Sequence, residues 1–291
     1  MPRLLLLLLI GLLSLGVAAC GDDDEDSAGS SDEPAATATE AADACDPAAL
    51  ELTADGVLTV GTDKPAFPPY FEDDDPSNGK GFESAVAFAI ADELELDEVK
   101  WTVVPFNASF APGPKDFDFD INQISITPKR AERVDFSDPY YTAPQAVIAL
   151  KNSPAAGAKS LADLEDAKLG VQIGTTSLDA AMESIQPSSQ PQVFNDSNDT
   201  VRALKTERVD AIVVDLPTAF YLTAAEVPEA AIVGQFDAPG GDDWGVVLEK
   251  DSPLTDCVNQ ALADLKENGE LQEITDQWLV TEGVAPVIEV G

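Results

Sequence analysis

Short apolar runs alternate with stretches of helical period along most of this chain. Leu58–Thr62, Trp101–Pro105, Ala146–Leu150, Lys168–Ile173 and Val209–Val214 are short apolar segments between turn-forming or polar stretches, and they predict strands. Ala85–Leu94 puts Val86, Ile90 and Leu94 on one helical face, and the stretch after Gly174 does the same with Leu178, Ala181, Met182 and Ile185. Asp199–Thr206, Pro253–Lys266 and Gly269–Leu279 complete the helices, the last two split by Asn268-Gly269. Val193-Phe194 and Trp244–Leu248 add two further strands. Strands alternating with helices describe an α/β fold, where ligands sit beyond the carboxyl ends of the strands.

One run, Asp116–Tyr141, is denser in signals than the rest. Phe117, Phe119 and Ile121 alternate with Asp118, Asp120 and Asn122, a period of two that predicts a strand with one buried face. The apolar positions then shift to Ile124 and Ile126. Thr127-Pro128 follows, an N-cap residue and a proline at the first helical position, so the strand runs into a short helix. Arg130 falls in its first turn. Free N–H groups and the dipole draw anions to such a turn and disfavour a cation. A carboxylate held between the N–H groups and the guanidinium fork resolves the conflict. The competing reading puts Arg130 on a polar face near Glu132, Asp135 and Asp138.

Composition narrows the function. The 291 residues carry 54 acids against 16 bases, a formal charge of −38 that repels nucleic acid and anionic headgroups. There is no histidine, which excludes Ser-His-Asp and Cys-His chemistry and His-ligated metals; no metal or cofactor is expected. Met1-Pro2-Arg3 precedes an apolar run, Leu4–Ala19, too short and one-sided for a comfortable span. Val17-Ala18-Ala19-Cys20-Gly21 resembles the lipobox of a bacterial lipoprotein. That likeness implies a signal peptide over residues 1–19, an acylated Cys20 and a folded part outside the cytoplasm. A signal peptide cut after Ala19, or an uncleaved anchor, is the alternative. Gly21–Ala44 holds nine acids and no base, so residues 20–44 read as a disordered tether with a reach of about 27 Å. With Cys20 lipidated, Cys45 and Cys257 most simply form one disulfide, and two free thiols are the other possibility.

Ser125-Ile126-Thr127 with Arg130, followed by Val134-Asp135-Phe136-Ser137 and Pro139-Tyr140-Tyr141, resembles extracellular solute-binding protein family 3. This family includes the binding proteins of polar amino-acid ABC importers, and the likeness runs roughly from Val57 to Leu279. It implies a two-lobe, type II periplasmic-binding-protein-like α/β fold, its ligand cleft between lobes joined by a two-strand hinge. Lobe 1 would hold residues 45–143 and 240–291, and lobe 2 residues 144–239.

By the same resemblance, Arg130 and the Thr175 and Thr176 amides share a ligand's α-carboxylate, with Ser125 beside them, and Asp215 takes its α-ammonium. Asp63, Lys64, Phe67, Phe106 and Gln123 recognise the side chain, with Tyr70 on the same loop as Phe67. Gln123 replaces a small residue common in the family and narrows the pocket. The family's second acid is absent at Ala85. Bland roles compete at each position: Phe67, Tyr70 and Phe106 as packing, Thr175 and Thr176 as a plain N-cap, Asp215 as a cap on the next helix.

The function implied is capture of an amino acid or close analogue by a monomeric, lipid-anchored protein, with delivery to a membrane-embedded ABC permease. No reaction is catalysed. A prephenate or arogenate dehydratase on the same scaffold, and a sensory ligand-binding protein, are the alternatives.

Overall fold

The computed structural model describes residues 45–279 and 285–289. Cys20, the signal peptide and the tether lie outside the described residues. In chain order the strands are β1 (Val57–Thr62), β2 (Glu98–Val103), β3 (Phe119–Asp120), β4 (Asp135–Phe136), β5 (Tyr141–Thr142), β6 (Gln145–Leu150), β7 (Leu169–Gln172), β8 (Gln192–Phe194), β9 (Ala211–Asp215), β10 (Ala230–Phe236), β11 (Asp243–Trp244) and β12 (Val247–Leu248). The helices are α1 (Phe82–Glu93), α2 (Phe106–Ser109), α3 (Pro128–Ala131), α4 (Thr176–Ala180), α5 (Ser197–Lys205), α6 (Leu216–Tyr221), α7 (Thr255–Glu267) and α8 (Glu270–Trp278).

Two five-stranded sheets organise the chain, ordered β2-β1-β3-β12-β4 and β10-β6-β9-β7-β8. In the first, β1 runs parallel to β2 and β3, and β12 runs antiparallel to β3 and β4. In the second, β7 is parallel to β8 and β9, while β6 and β10 run against their neighbours. Each sheet builds its own core. Leu58 and Val60 pack with Val86 and Ile90 of α1 and Val258, Leu262 and Leu265 of α7. β6 is buried along its whole length, with Val147 and Ala149 in one apolar cluster and Ala146 and Ile148 in another. Apolar cover on both faces explains the continuous apolar run Ala146–Leu150 within it.

A separate two-stranded ribbon joins the lobes: Tyr141 of β5 pairs with Trp244 of β11, and Thr142 with Asp243. Trp244 is fully buried, with the Tyr70, Tyr140 and Tyr141 rings at 5.6, 6.3 and 5.0 Å from its own. The single strand expected over Trp244–Leu248 is therefore two. β11 belongs to the ribbon and β12 to the first sheet, with Gly245 between them, where a Cβ would meet the Ile126 Cδ1 at 2.9 Å. The Cys45–Cys257 disulfide ties the start of the described chain to α7.

The expected one-sided strand over Phe117–Ile121 is corrected: Asp118, Asp120 and Asn122 are as buried as the apolar residues between them. Asp118 is satisfied by the Thr53 N–H and hydroxyl and the Thr59 N–H. Both carboxyl oxygens of Asp120 lack a partner among the described residues, and burial pushes its pKa well above the ordinary carboxylate range.

The C-terminus departs from expectation as well. Leu279 closes the core of the first lobe, yet Ala285–Glu289 lie on the second. Val287 bridges to Gln235, Glu289 to Ser160, and Ile288 is buried in the second lobe's core. The Gln235 N–H donates to Pro286 at 2.8 Å and the Ile288 N–H to Gln235 at 2.9 Å. Gly234 makes room for this contact, since a Cβ there would approach the Ile288 Cβ to 2.6 Å. Residues 240–291 thus do not all belong to the first lobe.

Candidate functional site

The carboxyl ends of the parallel strands of both sheets open onto one cavity between the lobes. Asp63, Phe67, Phe106, Asn122, Gln123 and Arg130 line it from the first lobe; Gln172, Thr175, Thr176, Asp196, Thr218 and Asp215 are among those lining it from the second.

Arg130 is placed by the cap that the sequence signals. The Thr127 hydroxyl accepts from the Arg130 N–H at 3.2 Å and Pro128 starts α3, so the side chain leaves the first turn toward the cleft. Arg130 is 8% exposed, and its guanidinium lies over Phe110 at 4.4 Å, with Phe106 at 5.7 Å. Nη1 donates to the Ser125 carbonyl at 2.6 Å, and Nη2 reaches across to the Gly174 carbonyl of the second lobe at 2.9 Å. Burial lowers its pKa to about 10, so it stays charged at neutral pH. The polar-face reading of Arg130 does not hold.

Facing it, Asp215 stands at the end of β9 and the start of α6, but its side chain makes no capping bond. It accepts instead from the Gln145 Nε2 at 2.6 Å. Desolvation raises its pKa to about 7, the Gln145 hydrogen bond opposing and Asp242 adding to the rise. Thr175 does cap α4: its hydroxyl accepts from the Leu178 N–H at 3.2 Å and donates to the Gln172 carbonyl at 2.9 Å. Thr176 meets the first lobe through Ser125, hydroxyl to hydroxyl at 3.0 Å.

Asp63, just past β1, has its pKa raised to about 6, mainly by burial and secondarily by the Asp196 carboxylate, against the pull of the Asn122 amide. Phe67 lines the cavity and packs edge-on against Tyr221 of the second lobe at 5.4 Å. Eight of the ten expected ligand residues therefore surround one cavity.

Ser125 and Tyr70 are outside its lining. Ser125 is buried against Thr176, and Tyr70 is buried beside Trp244 with its hydroxyl 2.8 Å from the Thr218 hydroxyl across the cleft. Tyr70 packs because its ring faces the hinge ribbon rather than the cavity. Lys64 also falls outside, pairing at the surface with Asp74 at 3.2 Å.

Several residues were missed. Asp196 caps α5 by accepting from the Asp199 N–H at 2.8 Å, and Ser197 donates to Gln172 at 2.7 Å. The signal was available: Asp196 follows a strand just as Asp63 does, at the ligand end of a parallel pair. Glu83 had no such signal. An acid in the first turn of α1 reads as a solvated partner of the helix dipole, yet it is fully buried and accepts from the Gln123 N–H at 2.6 Å. The Gln123 Nε2 and the Tyr140 hydroxyl also donate to it. Burial lifts its pKa to about 7 against these three hydrogen bonds.

The arrangement is built to bind. It presents one guanidinium and three carboxylates to a shared space, with hydroxyls and amides between them. Several proteins similar to this chain are named for the amino acids they bind. The chain is 30% identical to the arginine-binding extracellular protein of Bacillus subtilis over 77% of this chain and 87% of that one. It is 29% identical to the L-cystine-binding protein of Escherichia coli K12 over 77% and 82%. Among solved structures, an ancestral arginine-binding protein bound to glutamine matches with a TM-score of 0.66 at 33% identity, over 77% of this chain and 97% of that one. An ancestral amino acid-binding protein, a precursor of cyclohexadienyl dehydratase, matches at 0.64 and 31%, over 77% and 96%. Residues 58–281 match the family of bacterial extracellular solute-binding proteins, family 3, and the chain belongs to that family.

Proposed function

We propose that this protein captures an amino acid outside the cell by lobe closure and hands it to an ABC permease, held at the membrane by a lipid on Cys20. The observation that carries the reading is the placement of Arg130 and Asp215, opposite charges from opposite lobes, on one cavity. Arg130 and the N–H groups opening α4 take the α-carboxylate; Asp215 takes the α-ammonium. Neither wall satisfies the zwitterion alone, so the ligand's contacts favour the closed arrangement. The rest of the ligand meets Asp63 and Asp196, while Lys64 is engaged with Asp74 at the surface. This surplus of carboxylates favours a basic side chain, in keeping with the arginine-binding relatives.

Thermal unfolding of the full-length protein in detergent, with each amino acid singly, tests the reading. A ligand at about 100 times its Kd adds about 2.7 kcal/mol to native stability, or roughly 5–10 °C for a chain of this size. Arginine or lysine gives the largest shift; no shift with any amino acid defeats the proposal. Labelled palmitate that still enters the Cys20→Ser protein would defeat the anchor.

A second reading, a dehydratase using the same cleft, is favoured by one observation: Asp215 has a pKa of about 7, suited to a general acid. Turnover of prephenate by the wild type, lost in Asp215→Asn, would replace binding by catalysis.

A further inference from the structure

Gln123 sits in the cavity wall with its backbone at φ +48°, the left-handed region that a side-chain-bearing residue rarely adopts. What holds it there is Glu83, 40 positions earlier in the chain. One carboxylate oxygen takes the Gln123 backbone N–H at 2.6 Å and the other takes its side-chain Nε2. The first oxygen also accepts the Tyr140 hydroxyl, next to the hinge strand β5. Above the pH of about 7 at which Glu83 ionises, its carboxylate has nothing to donate, so the Gln123 amide then turns its NH₂ toward Glu83. Its side-chain oxygen then accepts no protein donor among the described residues.

We propose that Glu83 is a positioning residue for ligand selection. By engaging both Gln123 donors, it leaves the Gln123 side-chain oxygen as the group offered to the ligand. The site then accepts a side chain that donates hydrogen bonds and rejects one ending in a carboxylate. A free glutamine could reverse its amide and serve either kind; the buried acid behind it removes that choice. This inference rests on the reading of the cavity as an amino-acid site. It adds a residue that does not line the cavity and a rule for the distal end of the ligand.

Calorimetric titration of the full-length protein in detergent at about pH 8, where Glu83 is ionised, with arginine and with glutamate reads the ratio of the two affinities. In Glu83→Gln the Gln123 amide is free to reverse, and the arginine-to-glutamate ratio falls at least tenfold. Gln123→Met, close in volume and without an amide, loses the ratio with Glu83 intact; on that background Glu83→Gln adds less than threefold. Where Glu83→Gln does not fold, Glu83→Asp, too short to reach both Gln123 donors, loses at least fivefold. Single variants that keep the ratio within threefold of wild type, while still binding arginine, overturn the role of Glu83 and leave the amino-acid reading standing. A wild type that binds no amino acid overturns both.

Discussion

The Arg130 guanidinium bridges the two lobes: Nη1 holds the Ser125 carbonyl of its own lobe at 2.6 Å and Nη2 the Gly174 carbonyl of the other at 2.9 Å. The group proposed to bind the ligand's carboxylate is therefore also a latch across the cleft. Arg130→Ala removes both functions and is expected to weaken binding by about 3–5 kcal/mol. Arg130→Lys keeps the charge without the planar fork and falls between. Isothermal titration with the best ligand checks the order, and Arg130→Ala binding within threefold of wild type would refute it.

Asp215→Asn retains an oxygen for the Gln145 Nε2 but not the charge. Loss of a charge-assisted bond to an ammonium is expected to cost about 2–3 kcal/mol in affinity. A des-amino analogue of the ligand should bind wild type and variant alike, because it has no ammonium to lose. A variant that weakens both ligands equally would place Asp215 elsewhere in the site's function.

Burial raises the pKa of Glu83 and Asp215 to about 7 and of Asp63 to about 6. Unfolded carboxyls titrate near pH 4, so over the interval between, the native state holds protons that the unfolded state has released. Their contribution to stability is complete below about pH 4 and is lost as pH rises through about 6–7. The ligand-free Tm is expected to fall from about pH 5 to about pH 8, and part of that slope should vanish in Asp215→Asn. A ligand ammonium requires Asp215 ionised, so the ligand-induced shift grows over the same interval. Scanning calorimetry with and without ligand distinguishes these opposed trends.

Cys45 and Cys257 are joined across 212 positions of sequence. Replacing both by serine relaxes the unfolded chain and is expected to cost about 2–4 kcal/mol. Denaturant titration reads that loss. Ligand affinity should be unchanged, because the bridge anchors α7 in the first lobe, away from the cavity lining.

Much of the frame was legible. β1, α1, α7 and α8 were readable because their apolar spacing is local, and the capped turn that carries Arg130 announces itself within four residues, Thr127 to Arg130. What escaped depends on partners far along the chain. Asp118 looked solvated until Thr53 and Thr59 came to it from 65 and 59 positions away. Tyr70 looked like a ligand contact, while its hydroxyl partner, Thr218, lies 148 positions on. Glu83 and Gln123 were each visible as residues; that one holds the other was not. Periodicity reports which face is buried, and a buried polar group is explained only by what meets it there.

Leu279 closes the core of the first lobe, and Ile288, nine positions on, is buried in the core of the second. Only residues 280–284 separate Leu279 from Ala285, so those two anchor points cannot part by more than about 20 Å. While Ile288 stays docked, parting of the lobes at these two points is therefore bounded by a length of chain as well as by the ribbon. Inserting glycines there should leave the closed form intact and let the empty protein yawn wider. The upper limit on that parting becomes a quantity that adding or deleting residues between Leu279 and Ala285 would change, without touching a single ligand contact.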